Sequence, residues 1–89
     1  MPAILERQVL EDELAVSLAR AVAAANERAR REGIDLKESI VTVNEQSKES
    51  HPCWRINYGP RRYVGRRGGD LIIDVGINDA QIKRVLKGQ

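Results

Sequence analysis

Apolar residues return every three or four positions through the first third of this chain, at Leu10, Leu14, Leu18, Val22, Ala25 and Ala29. That spacing gathers them on one face of a helix, and an alternating strand cannot satisfy it. The run Ala21 to Ala25, interrupted only by Val22, favours helix strongly and is slim enough to let that turn approach a sheet closely. Acids come early (Glu6, Glu11, Glu13) and arginines late (Arg28, Arg30, Arg31), which complements the helix dipole. Gly33 stands just past the last periodic residue, where helices usually stop. The spacing predicts one long helix over about residues 3–32, and the remaining residues must supply whatever covers its apolar stripe.

They read as strands. Ser39 to Glu45 is β-branched, and Cys53 to Tyr58 alternates, with Trp54, Ile56 and Tyr58 facing one way and Cys53, Arg55 and Asn57 the other. Residues 70–76 form the most hydrophobic strand, with Leu71, Ile73, Val75 and Ile77 on one face. Gln46 to Pro52 is polar and turn-forming, and Ile34-Asp35-Leu36 folds the chain back after the helix. Residues 81–87 admit two readings. Asn78 followed by Gln81 fits a helix start, with Ile82, Val85 and Leu86 as its face; alternatively Ile77 to Ala80 is a hairpin turn before a last strand. The hairpin is favoured, because a last helix would have fewer than three turns and little to hold it. The expected fold is α+β, a long N-terminal helix packed on a three- or four-stranded antiparallel sheet, within one domain spanning 1–89. A chain this short buries only about 60–65% of its unfolded surface, which leaves one compact core and little room for a deep cleft.

No apolar run is long enough to cross a bilayer, and Met1 to Glu6 has neither a basic leader nor a continuous hydrophobic stretch. A single cysteine, Cys53, agrees with a cytosolic location, since small secreted domains usually carry paired cysteines. The net charge of +2 is unevenly spread: residues 1–38 hold six Lys/Arg and eight Asp/Glu, giving −2, and residues 39–89 hold nine and five, giving +4. Such asymmetry points weakly toward an anionic partner.

Catalytic readings fail on spacing. His51, the sole histidine, lies close to Ser50 and Cys53, but neighbours on a strand do not converge and no orienting acid is near in sequence. His51 and Cys53 make two ligands where a structural zinc needs four. Glu11-Asp12-Glu13 fans out around a helix and reads as a solvated face; Asp70 and Asp74 share the strand face opposite Leu71 and Ile73, where they either flank a ligand or keep the strand soluble. The glycines at 65, 68 and 69 do not form a phosphate loop, since no Gly-Lys-Ser/Thr accompanies them and a strand follows. What stands out is the loop itself. Arg61, Arg62, Arg66 and Arg67 bring four guanidinium groups within seven residues, Tyr63 sits among them, and no acid occurs from Arg55 to Gly69. Guanidinium groups bind phosphate or carboxylate in pairs of hydrogen bonds, and tyrosine stacks on bases. Solvated arginines also simply keep a hairpin loop soluble.

The pattern Trp54-x-Ile56-x-Tyr58-Gly59, then Gly68-Gly69-Asp70-Leu71-x-Ile73-x-Val75, then Ile82-x-x-Val85-Leu86-x-Gly88-Gln89 resembles the tails of PepSY-like domains and of minimal NTF2-fold immunity-type bacterial proteins. The resemblance covers about 36 residues. It implies a tryptophan strand, a Gly-Gly loop and a closing hairpin after a long helix, and binding or inhibition rather than catalysis. Those families commonly carry an Asp-x-x-Thr-Gly turn, where this chain has Gly76-Ile77-Asn78-Asp79-Ala80 and so lacks the turn glycine. The expectation is therefore a small non-catalytic cytosolic interaction domain, inhibitory or regulatory, without cofactor or metal. Its partner is a protein or a second copy, and its contact residues are Arg61, Arg62, Tyr63, Arg66 and Arg67. The alternative is a nucleic-acid or polyanion-binding module built on the same loop, residues 59–69, with Lys83, Arg84 and Lys87 adding charge if the last element lies beside it.

Overall fold

A computed structural model describes residues 7–46, 52–61 and 70–88. The chain is α+β, with one long helix and a four-stranded antiparallel sheet. A short helix α1 (Arg7–Leu10) is followed by α2 (Glu13–Arg31), a single 3₁₀ turn (Leu36–Glu38), and strands β1 (Ser39–Gln46), β2 (Cys53–Pro60), β3 (Leu71–Gly76) and β4 (Ile82–Lys87). The strands form a simple meander in the order β1-β2-β3-β4, so among the described residues β1 and β4 are the edges.

The helix expected over 3–32 is divided within the described residues. Asp12 takes extended dihedrals (φ −87°, ψ 106°) and its carboxylate accepts the Ala15 N–H at 2.9 Å. It is thus the N-cap of α2, because a short carboxylate satisfies an orphan amide better as a cap than inside a turn. The acidic run read as a solvated face contains this cap. The C-terminus closes as the glycine suggested. Gly33 has φ 88° and donates to Arg30 O (3.0 Å), while Ile34 donates to Ala29 O (2.9 Å), the paired bonds of a Schellman motif. Asp35 then caps the 3₁₀ turn by accepting the Lys37 N–H at 3.0 Å.

Ala21, Ala25 and Ala29 are fully buried in one cluster with Trp54, Ile56 and Tyr58 of β2 and Leu71, Ile73 and Val75 of β3. Slim residues on the helix and large ones on the sheet fill this layer between them, at about 1.5–3 kcal/mol for each large side chain buried. Leu10 and Leu14, expected on the buried stripe, are instead 58% and 63% exposed. Both lie ahead of Ser17, where the helix first bonds to the sheet through Trp54 and Ile77.

The β1–β2 register runs without interruption from Ser39 opposite Pro60 to Gln46 opposite Cys53. β2 is longer than its alternation suggested, taking in Gly59 and Pro60. The β3–β4 pairing carries an irregularity between Asp74 and Val75. Residues 81–87, open to two readings from sequence, hold a strand, and the turn before it closes with Ala80 N–H to Gly76 O (3.0 Å) and Gly76 N–H to Gln81 O (2.9 Å).

Candidate interaction surface

Of the five loop residues singled out from sequence, Arg62, Tyr63, Arg66 and Arg67 lie outside the described residues, as does His51. Arg61 is described, and it is anchored. Its backbone N–H donates to Glu38 O (3.0 Å) and its Nη2 to Ser39 O (3.1 Å), fastening the end of β2 to the start of β1. Across the base of the loop, the Asp70 carboxylate accepts Asn57 Nδ2 at 2.9 Å and its carbonyl accepts the Gly88 N–H at 2.6 Å.

The sheet face away from α2 carries a paired charge at its centre. Arg55 and Asp74 stand opposite each other on β2 and β3, and the guanidinium donates two bonds to the carboxylate. That bonding raises the Arg55 pKa further. Asp74, with 7% relative exposure, is thus a structural partner rather than a group offered to a ligand. On the helix side, Tyr58 Oη donates to Asn26 Oδ1 at 2.7 Å, and burial pushes its pKa up to about 12. Trp54 Nε1 donates to Ser17 Oγ (3.1 Å), which donates in turn to Ile77 O (3.0 Å).

Two grooves flank the β3–β4 turn. One, of about 400 Å³, runs between the start of α2 and the turn and includes Glu13, Arg20 and Ile77; the other, of about 270 Å³, lies by Pro52, Cys53 and Lys83. Asp79 borders both, held by Lys83 Nζ (2.6 Å) and the Gln81 N–H (3.0 Å), and the Lys83 bond chiefly keeps its pKa below the ordinary carboxylate value. Glu32 is held likewise, by Lys87 Nζ (2.6 Å) and Arg28 Nε (2.9 Å), and its pKa is lowered by those two bonds. Among the described residues, no three His, Cys, Asp or Glu side chains gather as metal ligands, and no helix is long and apolar enough to cross a membrane.

A further open feature is the outer edge of the sheet at β1, which the sequence does not single out. β1 is an edge strand on which Ile40 and Val41 are 47% and 42% exposed. The Arg61-to-Glu38 bond marks that step as a hydrogen-bonded pair, and antiparallel ladders alternate. Ile40, Thr42 and Asn44 therefore turn their N–H and C=O groups toward β2, and Val41, Val43 and Glu45 turn theirs outward. Ser39 is closed off at the strand's start, its N–H donating to Leu36 O and its carbonyl accepting from Arg61. The same alternation accounts for Ile77 N–H to Pro52 O (3.2 Å) and Gly88 N–H to Asp70 O at the ends of the other ladders. Natural edges are usually blunted by lysine, proline or a bulge. β4 follows that rule, with Lys83, Arg84, Lys87 and a register irregularity. β1 holds one charge, Glu45, and none of those devices. The signal was legible in Ser39-Ile-Val-Thr-Val-Asn-Glu45 as β-branched residues without lysine or proline, but it acquires meaning only once the strand is known to be an edge.

Comparison with protein-family models, with curated proteins and with solved structures finds no match to this chain.

Proposed function

We propose that this chain is a small, non-catalytic interaction domain of the cytosol that binds a protein partner by accepting a strand along β1. The carrying observation is the contrast between edges: β1 presents the outward backbone of Val41, Val43 and Glu45 beside exposed Ile40 and Val41, while β4 is charged and irregular. Strand addition takes its affinity from main-chain hydrogen bonds and its selectivity from alternate side chains. The ionisable groups of the sheet face and the β3–β4 turn support this reading, being engaged with one another in Arg55–Asp74 and Lys83–Asp79. An inhibitory or regulatory role agrees with the resemblance of residues 54–89 to immunity-type domains.

Fluorescence anisotropy with labelled β-branched octapeptides tests it. Binding is expected to persist at moderate salt and to disappear in Val41→Pro, which removes an outward N–H while leaving the β2 ladder in place. Failure of every peptide, together with oligonucleotide binding that falls steeply with salt and with Arg66→Ala/Arg67→Ala, would replace this reading by polyanion binding at the loop.

A further inference from the structure

Building on the edge reading above, we infer that the strand β1 accepts is β1 of a second copy. The two strands run antiparallel about a two-fold axis normal to the sheet at Thr42. Directly opposed residues of an antiparallel pair share a face of the sheet, so a continuous sheet with both helices on one side must oppose odd positions of β1 to odd positions. Two central registers satisfy this. Centred on Val43, the pairing sets Val41 against Glu45, an aliphatic side chain against a carboxylate. Centred on Thr42, it sets Val41 against Val43 on the helix side, Ile40 against Asn44 on the other, and Thr42 against its own copy, a favourable cross-strand pair.

The Thr42 register is compatible with the backbone, and the charge favours it. Val41 and Val43 both direct their amides and carbonyls outward, so each Val41–Val43 pair closes a two-bond ring, giving about four main-chain hydrogen bonds across the axis. Glu45, the only charge on β1, falls opposite Ser39 of the second copy. There the Arg61 guanidinium sits, 3.1 Å from Ser39 O. The pairing thus brings Glu45 of one copy to Arg61 of the other, twice, and opposes no like charges. Self-pairing of this kind is isologous, each surface meeting its own image. β4 is less suited to this, because a pairing centred on Val85 sets Lys83 against Lys87 and one centred on Arg84 sets Arg84 against its own copy.

A contact well below the area of a standard interface is expected to hold with a Kd on the order of 10 µM. Sedimentation velocity from about 1 to about 300 µM brackets that value and reads it directly. A monomer–dimer equilibrium is expected for the wild type. Val41→Pro should be monomeric throughout with unchanged circular dichroism, and Val41→Lys keeps the test alive should the proline variant not fold. Glu45→Arg and Arg61→Glu should each weaken association about tenfold, and the double reversal should restore it, because only the Thr42 register joins these two residues across the axis. A wild type that stays monomeric, a dimer indifferent to both Val41 variants, or a double reversal no better than the singles overturns the proposal. A monomeric wild type that still binds strand peptides through β1 overturns self-pairing alone; one that binds none removes the edge reading with it.

Discussion

Asp74 accepts Nε and Nη2 of Arg55 at 2.8 and 3.0 Å, both carboxylate oxygens held by one guanidinium across the central strand pair. The two partners differ in their surroundings: the Asp74 side chain is 10% exposed and that of Arg55 33%. Removing Arg55 strands a carboxylate that water barely reaches, whereas removing Asp74 leaves a guanidinium able to turn outward. Arg55→Ala is therefore expected to lower the thermal midpoint by several degrees and to cost more than Asp74→Ala, with the double variant costing less than the sum. Urea denaturation of the four proteins measures the coupling. Equal single effects that simply add would show that the pair contributes nothing of its own.

Ser17 relays one polar connection between three elements, accepting from Trp54 Nε1 on β2 and donating to Ile77 O at the β3–β4 turn. Ser17→Ala leaves both groups without this partner in a partly buried layer. A cost of about 1–3 kcal/mol is expected by chemical denaturation, with a shift in the emission of the sole tryptophan. An unchanged spectrum and midpoint would mean that water replaces the hydroxyl without loss.

Tyr58 links alkaline pH to stability. Its phenol ionises at the ordinary value of 10.0 in the unfolded chain and at about 12 in the fold, where burial favours the neutral form. Stability is therefore insensitive to this group below pH 10 and falls between 10 and 12, as the unfolded state loses a proton the folded state retains. Tyr58→Phe should be less stable at neutral pH, by about 1 kcal/mol, because Asn26 Oδ1 loses its donor. Its denaturation midpoint should fall less steeply above pH 10, so that the two curves converge. Parallel curves would show that Tyr58 ionises normally.

Patterns that depend on near neighbours were readable from the chain. The alternation of Trp54, Ile56 and Tyr58 and the helical spacing from Leu18 to Ala29 are local, and they suffice for an α+β fold with one long helix and an antiparallel sheet. Competition between local preferences was less legible. Leu10 and Leu14 continue the helical spacing, yet Asp12 interrupts it as a cap, and periodicity carries no information about capping. Pro60 looked like the loop already begun. It ends β2 opposite Ser39, whose own polar groups point away, so the missing N–H forfeits no bond to β1. Edge status is not local at all: nothing within residues 39–46 tells which side of β1 lacks a neighbour, whereas the arginine loop stands out in the sequence by itself. Only Arg61 of that cluster lies among the described residues, and there it fastens two strands together.

Ala80 is the non-glycine residue with a positive φ among those described, at 54°, in the turn between β3 and β4. Left-handed backbone costs an L-residue with a Cβ about 1–2 kcal/mol, and glycine escapes that cost but gains freedom in the unfolded chain. Ala80 also packs partly against the core, so its methyl returns some of the difference. Ala80→Gly is expected to stabilise the protein by about 0.5 kcal/mol net, and Ala80→Val to destabilise it by more than 1 kcal/mol, as a roughly additive balance of these terms. The neighbouring Gly76 should respond in the opposite sense. A Cβ there would overlap Asp79 Oδ1 and stand 2.8 Å from Lys83 Cε, and Asp79 cannot yield without releasing the Gln81 N–H. Thermal denaturation of the three variants therefore reports on the turn from both ends. If Ala80→Gly and Gly76→Ala both destabilise, Ala80 does not occupy the left-handed region, and the hairpin closes by a different turn.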